Sequence, residues 1–317
     1  MKKILAAALA VLTLSTTSFA STKGHKSSNN APAVATVVSP VVPSSITFCG
    51  KKVDLDRADI FERFDRELTS MAYTHGNTLL TIKRANKYFP QMAPVLTRNG
   101  VPQDLLYLAC VESYLSNRAY SPAKAAGVWQ FLASTAKQYG LEVSDEVDER
   151  YNLEKATDAA ARMLKSLYNK YGDWATAMAA YNGGPARISS SQSSQLADNY
   201  HDLYLTEETQ RYVYRIMAMK AVLENPAAFG FYIADPAQLY QPVDCDIVEV
   251  NGSVSTWPRW AKNHGITYAQ LRDENPWIRS ERLTNSSGKT YKVRVPKKGA
   301  LLRSHQKAKA YNADWVR

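Results

Sequence analysis

Leu105-Leu106-Tyr107-Leu108-Ala109-Cys110-Val111-Glu112-Ser113-Tyr114-Leu115 is the stretch on which the fold turns. Leu105, Leu108, Ala109, Glu112 and Leu115 recur at helical spacing, which predicts a helix with an apolar stripe. Glu112 stands on that stripe, with Ala109, Leu108 and Leu105 at i−3, i−4 and i−7 and Leu115 at i+3. An ionised carboxylate there loses hydration, so its pKa should rise and its proton be kept near neutrality, as a general acid requires. The plainer alternative is a glutamate at the edge of the stripe reaching water or an arginine, as most helical glutamates do. Cys110, between Ala109 and Val111, reads as core packing rather than chemistry.

Outward from this helix the chain reads as helical from about 50 to 235. Helices are predicted over 56–74 and 77–97, ahead of Gly100-Val101-Pro102, with Pro102 suited to open the next helix. A helix over 128–139 is capped by Gly140. One over 154–171 lines up Ala156, Ala160, Met163, Leu167, Tyr168 and Tyr171. Asp173 can N-cap another carrying Trp174, Met178 and Tyr181, which Gly183-Gly184-Pro185 ends. The Ser-rich stretch 189–194 reads as a loop, and a last helix spans 206–224 before Pro226. The fold class is therefore mainly α. After Pro236 the composition changes. Residues 244–296 read as a strand at 246–250, two short helices and a strand at 291–295, a small α+β unit. The tail 298–317, with Lys297 before it, is basic and reads as surface-exposed or mobile.

The N-terminus constrains the compartment. Residues 1–20 read MKKILAAALAVLTLSTTSFA, two lysines, an apolar run from Ile4 to Leu14, then Ser18-Phe19-Ala20. This is the pattern of a secretory signal peptide. The apolar run is shorter than the about 20 residues a spanning helix needs, so no stable membrane anchor is expected. Residues 21–47 read as a flexible linker. The 317 residues carry 39 Lys+Arg against 29 Asp+Glu, a formal charge of +10, or +8 without the first 20 residues. An anionic partner follows: nucleic acid, a membrane surface or an acidic wall polymer. An exported protein does not meet nucleic acid, and a membrane-surface protein would need an amphipathic basic helix. The 45% hydrophobic and 21% charged content excludes wholesale disorder. Five scattered His residues and the lack of CxxC or HExxH give no metal site, and no cofactor is expected. Cys49 and Cys245 could be bridged or be two free thiols.

Three further segments bear on Glu112. Residues 121–131 read SPAKAAGVWQF, residues 180–185 AYNGGP and residues 208–213 ETQRYV. Taken singly, Trp129, Tyr181 and Tyr212 are simple core aromatics. Taken with the amides and an isolated acid, they describe a carbohydrate groove better than a phosphate or metal site. Asp145, Glu146 and Asp148 read as a solvated acidic loop.

Residues 99–225 resemble the catalytic domain of lytic transglycosylases of the soluble-Slt type, related to goose-type lysozymes. The resemblance rests on Glu112-Ser113, Gly127-Val128-Trp129-Gln130-Phe131, Ala180-Tyr181-Asn182-Gly183-Gly184 and Glu208-Thr209 with Tyr212-Val213, in that order. It implies a lysozyme-like all-α fold and peptidoglycan glycan strands as the partner, cut between N-acetylmuramic acid and N-acetylglucosamine. It implies Glu112 as the catalytic acid/base. Ser113, Gln130, Tyr181 and Asn182 would line saccharide subsites, and Tyr212 would orient Glu112. Lys124 and Ala186 stand where the family often has glycine. A single acid suffices if the muramoyl C6 hydroxyl closes onto C1 to give a 1,6-anhydro end. Hydrolysis of the same bond and non-catalytic wall binding are the rival readings. Residues 248–296 resemble a divergent LysM module, through Val250-Asn251-Gly252-Ser253, Trp260-Ala261, Asn275-Pro276 and Tyr291-Lys292-Val293, which implies peptidoglycan binding. A ligand-free packing module is the alternative. The expected organisation is a catalytic domain at 48–235 and a LysM-like domain at 244–297, with oligomeric state left open.

Overall fold

The computed structural model describes residues 37–317. The expected signal peptide, and the linker up to residue 36, lie outside the described residues. The first elements among the described residues form a hairpin, β1 (Ile46–Phe48) against β2 (Lys51–Val53). Its two-residue turn is Cys49-Gly50, both at positive φ, which matches the twist of tight hairpins. Ile46 and Phe48 are buried, so residues 46 and 47, expected to belong to the linker, form part of the first strand.

Helices then follow in close succession: α1 (Ala58–Tyr73), α2 (His75–Asn99), α3 (Leu105–Ser113), α4 (Ala133–Gln138), α5 (Leu153–Tyr171), α6 (Trp174–Gly183), α7 (Pro185–Gln195) and α8 (Glu207–Glu224). The Asp173 cap expected from the sequence forms. Asp173 accepts from the Thr176 backbone N–H at 2.8 Å, and Gly100 and Gly172 close their helices in the left-handed region. Two readings of the helices need correction. Residues 128–132 are not helical, because Gly127 and Gln130 both hold positive φ and Ala126 pairs with Phe131 across an antiparallel bridge. Residues 189–194 are not a loop but the body of α7. Pro185 opens that helix, buried Ile188 anchors it, and the Tyr171 hydroxyl donates to the Pro185 carbonyl at 2.7 Å.

The core sits around α3. Six of its nine residues are buried, so it is apolar on most sides rather than along a stripe. Leu105 and Leu108, and Leu115 just beyond the helix, are fully buried, each contributing about 2 kcal/mol. Helices α2 and α8 pack against α3, and α5, α6 and α8 close the bundle. The C-terminal module is β3 (Cys245–Val250), α9 (Trp257–Asn263), α10 (Tyr268–Glu274) and β4 (Tyr291–Pro296), with β3 antiparallel to β4. The architecture is thus mainly α, with a small α+β module at the C-terminal side.

That module is docked. Ala126, Val147 and Tyr151 of the helical domain share one buried cluster with Val250, Trp257, Leu271, Trp277, Ile278 and Val293. The segment read as a solvated acidic loop is the seam. Val147 bridges Ile278, Glu146 accepts from the Thr284 N–H and hydroxyl at 2.7 and 2.8 Å, and Asp148 is buried against Arg150 at 2.7 Å. The basic tail is docked as well. Trp315 is buried, donates its indole N–H to the Leu223 carbonyl at 2.6 Å and packs on Phe89. Buried Asn86 accepts from Tyr311 N–H at 2.6 Å, and its amide donates to the carbonyls of Tyr240 and Lys309. Aromatic anchors override the charge of the flanking lysines there. Cys49, Cys110 and Cys245 are all free thiols.

Candidate active site

Glu112 is the penultimate residue of α3. The helix stops there because Tyr114 and Leu115 both take positive φ, an uncommon and strained pair for side chains of that size. Carbonyls at a helix C-terminus disfavour negative charge, which adds to the effect of burial. The Glu112 pKa is pushed up to about 7, first by desolvation. The Tyr212 hydroxyl, which donates to Glu112 Oε1, pulls in the opposite direction. Glu208 raises the value further and Arg215 lowers it. The carboxyl therefore carries a proton for much of the time at neutral pH. Glu208 itself is exposed and held by Arg215 at 3.2 Å.

Most of the other sequence-predicted residues converge on one short segment, 127–131. The Ser113 hydroxyl is buried and donates to the Val128 carbonyl at 2.9 Å. The Tyr181 hydroxyl donates to the Trp129 carbonyl at 2.7 Å. Gln130 donates its side-chain amide to the Gly127 carbonyl at 2.8 Å. Asn182 stands apart, its side-chain oxygen accepting from Thr209 at 3.0 Å. Trp129 is fully buried and donates to Thr157 at 2.9 Å, so it is core rather than a stacking platform. Ser113 and Tyr181 thus spend their hydroxyls on the backbone beside Glu112. The pinned segment holds Gln130 at φ 49, a conformation that persists only where neighbours over-determine it.

Two residues that the sequence did not flag complete this frame. Arg150, buried and ion-paired to Asp148, donates to the carbonyls of Lys124 and Phe131 at 2.8 and 3.0 Å. It braces the 121–131 turn at Lys124 and at Phe131, and Lys124 keeps the left-handed conformation that favours glycine. A Cβ on Gly127 would sit 2.0 Å from the Arg150 carbonyl oxygen, so only glycine fits there. Glu67, buried on α1, receives Arg211 at 2.6 Å, Arg66 at 3.1 Å and Arg215 at 3.4 Å. It ties α8, which carries Tyr212, to the rest of the domain. Arg211 and Arg215 stand four apart on one helix face, a weak sequence signal for such a partner.

Cavities of about 720 and 740 Å³ lie between the helical domain and the module, and Glu112 lines neither. Among the described residues, no group of three or more His, Cys, Asp or Glu side chains is placed to hold a metal, and no helix is long and apolar enough to cross a membrane.

Comparison with known proteins bears on this arrangement. Residues 92–203 match the family described as the transglycosylase SLT domain, and residues 246–299 match the soluble lytic transglycosylase C-terminal LysM-like domain. The chain is 30% identical over 248 residues to membrane-bound lytic murein transglycosylase D of Escherichia coli (strain K12), covering 76% of this chain and 52% of that protein. It is 42% identical over 97 residues to peptidoglycan transglycosylase gp16 of Escherichia phage T7, covering 30% of this chain and 7% of that protein. The chain spans about half the length of the first of these relatives. The Glu112 helix and the segments at 121–131 and 180–185 fall inside the stretch matched by the transglycosylase SLT domain, α8 with Tyr212 lies beyond it, and the docked module coincides with the match to the LysM-like domain of the soluble lytic transglycosylase type.

Proposed function

We propose that this chain is an exported peptidoglycan lytic transglycosylase that cuts the bond between N-acetylmuramic acid and N-acetylglucosamine, with Glu112 as its single acid/base. The observation that supports this most is the carboxyl itself. Glu112 keeps a pKa of about 7 while its one hydrogen-bond donor among the described residues is a tyrosine hydroxyl. A group so placed can give a proton and take one back at neutral pH.

The protonated Glu112 gives its proton to the glycosidic oxygen as the C1–O4 bond breaks, and the N-acetylglucosamine side leaves as an alcohol. The Glu112 carboxylate then removes the proton of the muramoyl C6 hydroxyl, whose oxygen closes onto C1. A 1,6-anhydro end results, Glu112 regains its proton, and no water is consumed. Hydrolysis would ordinarily call on a second carboxyl at a set distance. The seam acids are committed elsewhere, Asp148 to Arg150 and Glu146 to Thr284, and Glu208 is paired with Arg215. Tyr212 orients the acid, while Ser113, Tyr181 and Gln130 hold the 127–131 segment against which the sugar lies. Export to the cell envelope rests on the 1–20 pattern, with a catalytic domain at 48–235 and a wall-binding module at 244–297.

Mass analysis of products from purified sacculi tests the reading. Wild type should release anhydro-ended fragments, lighter by one water than hydrolytic ones, and Glu112→Gln should release none while remaining folded. Water-added products would establish a muramidase, and retained activity would remove Glu112 from its role. Deleting 244–317 is a poor probe of wall binding, because it would bare Ala126, Val147 and Tyr151.

A further inference from the structure

The cavity of about 740 Å³ at the seam is lined by four arginines and by one carboxylate, Asp148, which Arg150 pairs. Arg118, Tyr120 and Tyr151 line it from the helical domain, and Tyr268, Arg272 and Arg279 line it from the module. Arg118 is paired with Asp273 at 2.6 Å. Arg272 and Arg279, by contrast, have no carboxylate within ion-pair distance among the described residues. Arg272 donates to the Tyr268 hydroxyl at 2.7 Å, and its Nε is buried without a hydrogen-bond partner. Arg279 lies over the Tyr151 ring at 4.7 Å, and its side chain reaches only the Pro276 carbonyl, at 3.3 Å. Rings, rather than anions, hold both guanidinium groups in place. A buried guanidinium N–H without an acceptor is costly unless an acceptor arrives. Planar guanidinium forks are matched to carboxylates, and here they are pre-positioned in a cleft.

The cleft adjoins the catalytic frame. Tyr120, 59% exposed on its wall, bridges Ala126, and the neighbouring Ala119 carbonyl accepts from the Gly127 N–H at 2.9 Å. The loop that forms one wall therefore runs into the segment pinned beside Glu112. A ligand seated at that segment would have this wall as its neighbour.

We infer that the seam cleft binds the free carboxylates of the short peptides carried by the muramoyl residues, so that the chain reads peptide-substituted strands in preference to bare ones. This rests on the proposed function above. Two uncompensated guanidinium groups suit one or two discrete carboxylates on an amide backbone. A phosphate polymer would need a continuous basic stripe, and Asp148 and Asp273 interrupt any such stripe here.

The test uses the full chain as Glu112→Gln, so that binding is read without turnover. Calorimetry compares a soluble disaccharide-peptide with the same disaccharide lacking the peptide. The peptide-bearing ligand should bind about tenfold more tightly, as expected for charge-assisted pairing. Amidation of its carboxylates should abolish the gap, and so should adding Arg272→Gln with Arg279→Gln, without changing affinity for the bare disaccharide. Amidation needs no variant, so it decides the matter even if the arginine changes disturb the seam. Equal affinity for the amidated and free-acid ligands would overturn the inference. So would displacement of the disaccharide-peptide by a polyphosphate that binds more tightly. Failure of wild type to release anhydro-ended fragments from purified sacculi would instead sink the proposed function and leave the binding result standing.

Discussion

Two glutamates of the helical domain, Glu67 on α1 and Glu112 on α3, are both set away from free solvent, and they are treated in opposite ways. Glu67 is 2% exposed and meets three guanidinium groups. Glu112 meets a single phenol, and its pKa climbs to about 7. Arg215 links the two, since it touches Glu67 directly and acts on Glu112 only through its field. The bundle thus compensates one carboxylate fully and leaves the other short of positive charge. The first is a joint that fixes α8, and the second, the proposed acid/base, receives only a hydroxyl from α8. Burial alone does not tell structure from chemistry; the count of opposing charges does.

The largest expected effect breaks the compensated side. Glu67→Gln leaves Arg66, Arg211 and Arg215 clustered around a neutral amide. Removing one partner of a buried ion pair costs several kcal/mol. Glu207 and Glu208 still reach these arginines from the exposed side, so a loss of roughly 2–3 kcal/mol is expected, seen as a fall of about 5–10 °C in the melting temperature. A change below about 1 °C would mean that the joint carries no net stability.

The next effect has the opposite sign. The Glu112 pKa is raised on folding from an ordinary 4.5 to about 7, so between those values the folded state binds more protons than the unfolded one. Stability is then full below about pH 4.5 and declines as pH rises through 7. Glu112→Gln removes this penalty. It should stabilise the chain at pH 8, by on the order of 1–3 kcal/mol, and do nothing at pH 4. Denaturant unfolding at the two pH values checks this. Equal effects at both would mean that packing, not ionisation, sets the difference.

The same contrast marks what the sequence could reveal. Glu112 was legible because it breaks an apolar pattern within one helix. The reason was only half legible, because α3 is buried on most sides and its end, not a stripe, places the acid. Helices and their caps were readable where apolar spacing and a cap residue agree, as at Asp173 and at Gly183-Gly184, where α6 ends. The non-helical 128–132 segment was not, because its positive φ at Gln130 is imposed from outside, by Ser113, Tyr181 and Arg150. Glu67 lies more than 140 residues from Arg211 and Arg215, and no local pattern joins them. The docked module and tail depend on single anchors, Val147, Asn86 and Trp315, that look ordinary in the chain.

The smallest change probes the phenol that stands where Glu67 has its arginines. Tyr212→Phe keeps the ring, which is buried, and deletes the donor to Glu112. That donor favours the ionised carboxyl, so its loss should move the Glu112 pKa further up. In the pH profile of kcat, the limb assigned to deprotonation of the acid should shift to higher pH. The maximal rate should also fall, by about tenfold, because the carboxylate formed after the first step loses its stabilising partner. KM should change little, since the hydroxyl faces the acid and not a saccharide contact. A profile that keeps its limb while kcat drops would mean that Tyr212 only positions the side chain, and a limb moving to lower pH would reverse the sign of its influence. Either result would place the control of Glu112 with Arg215 and Glu208, bringing the two glutamates closer in kind than their direct contacts suggest.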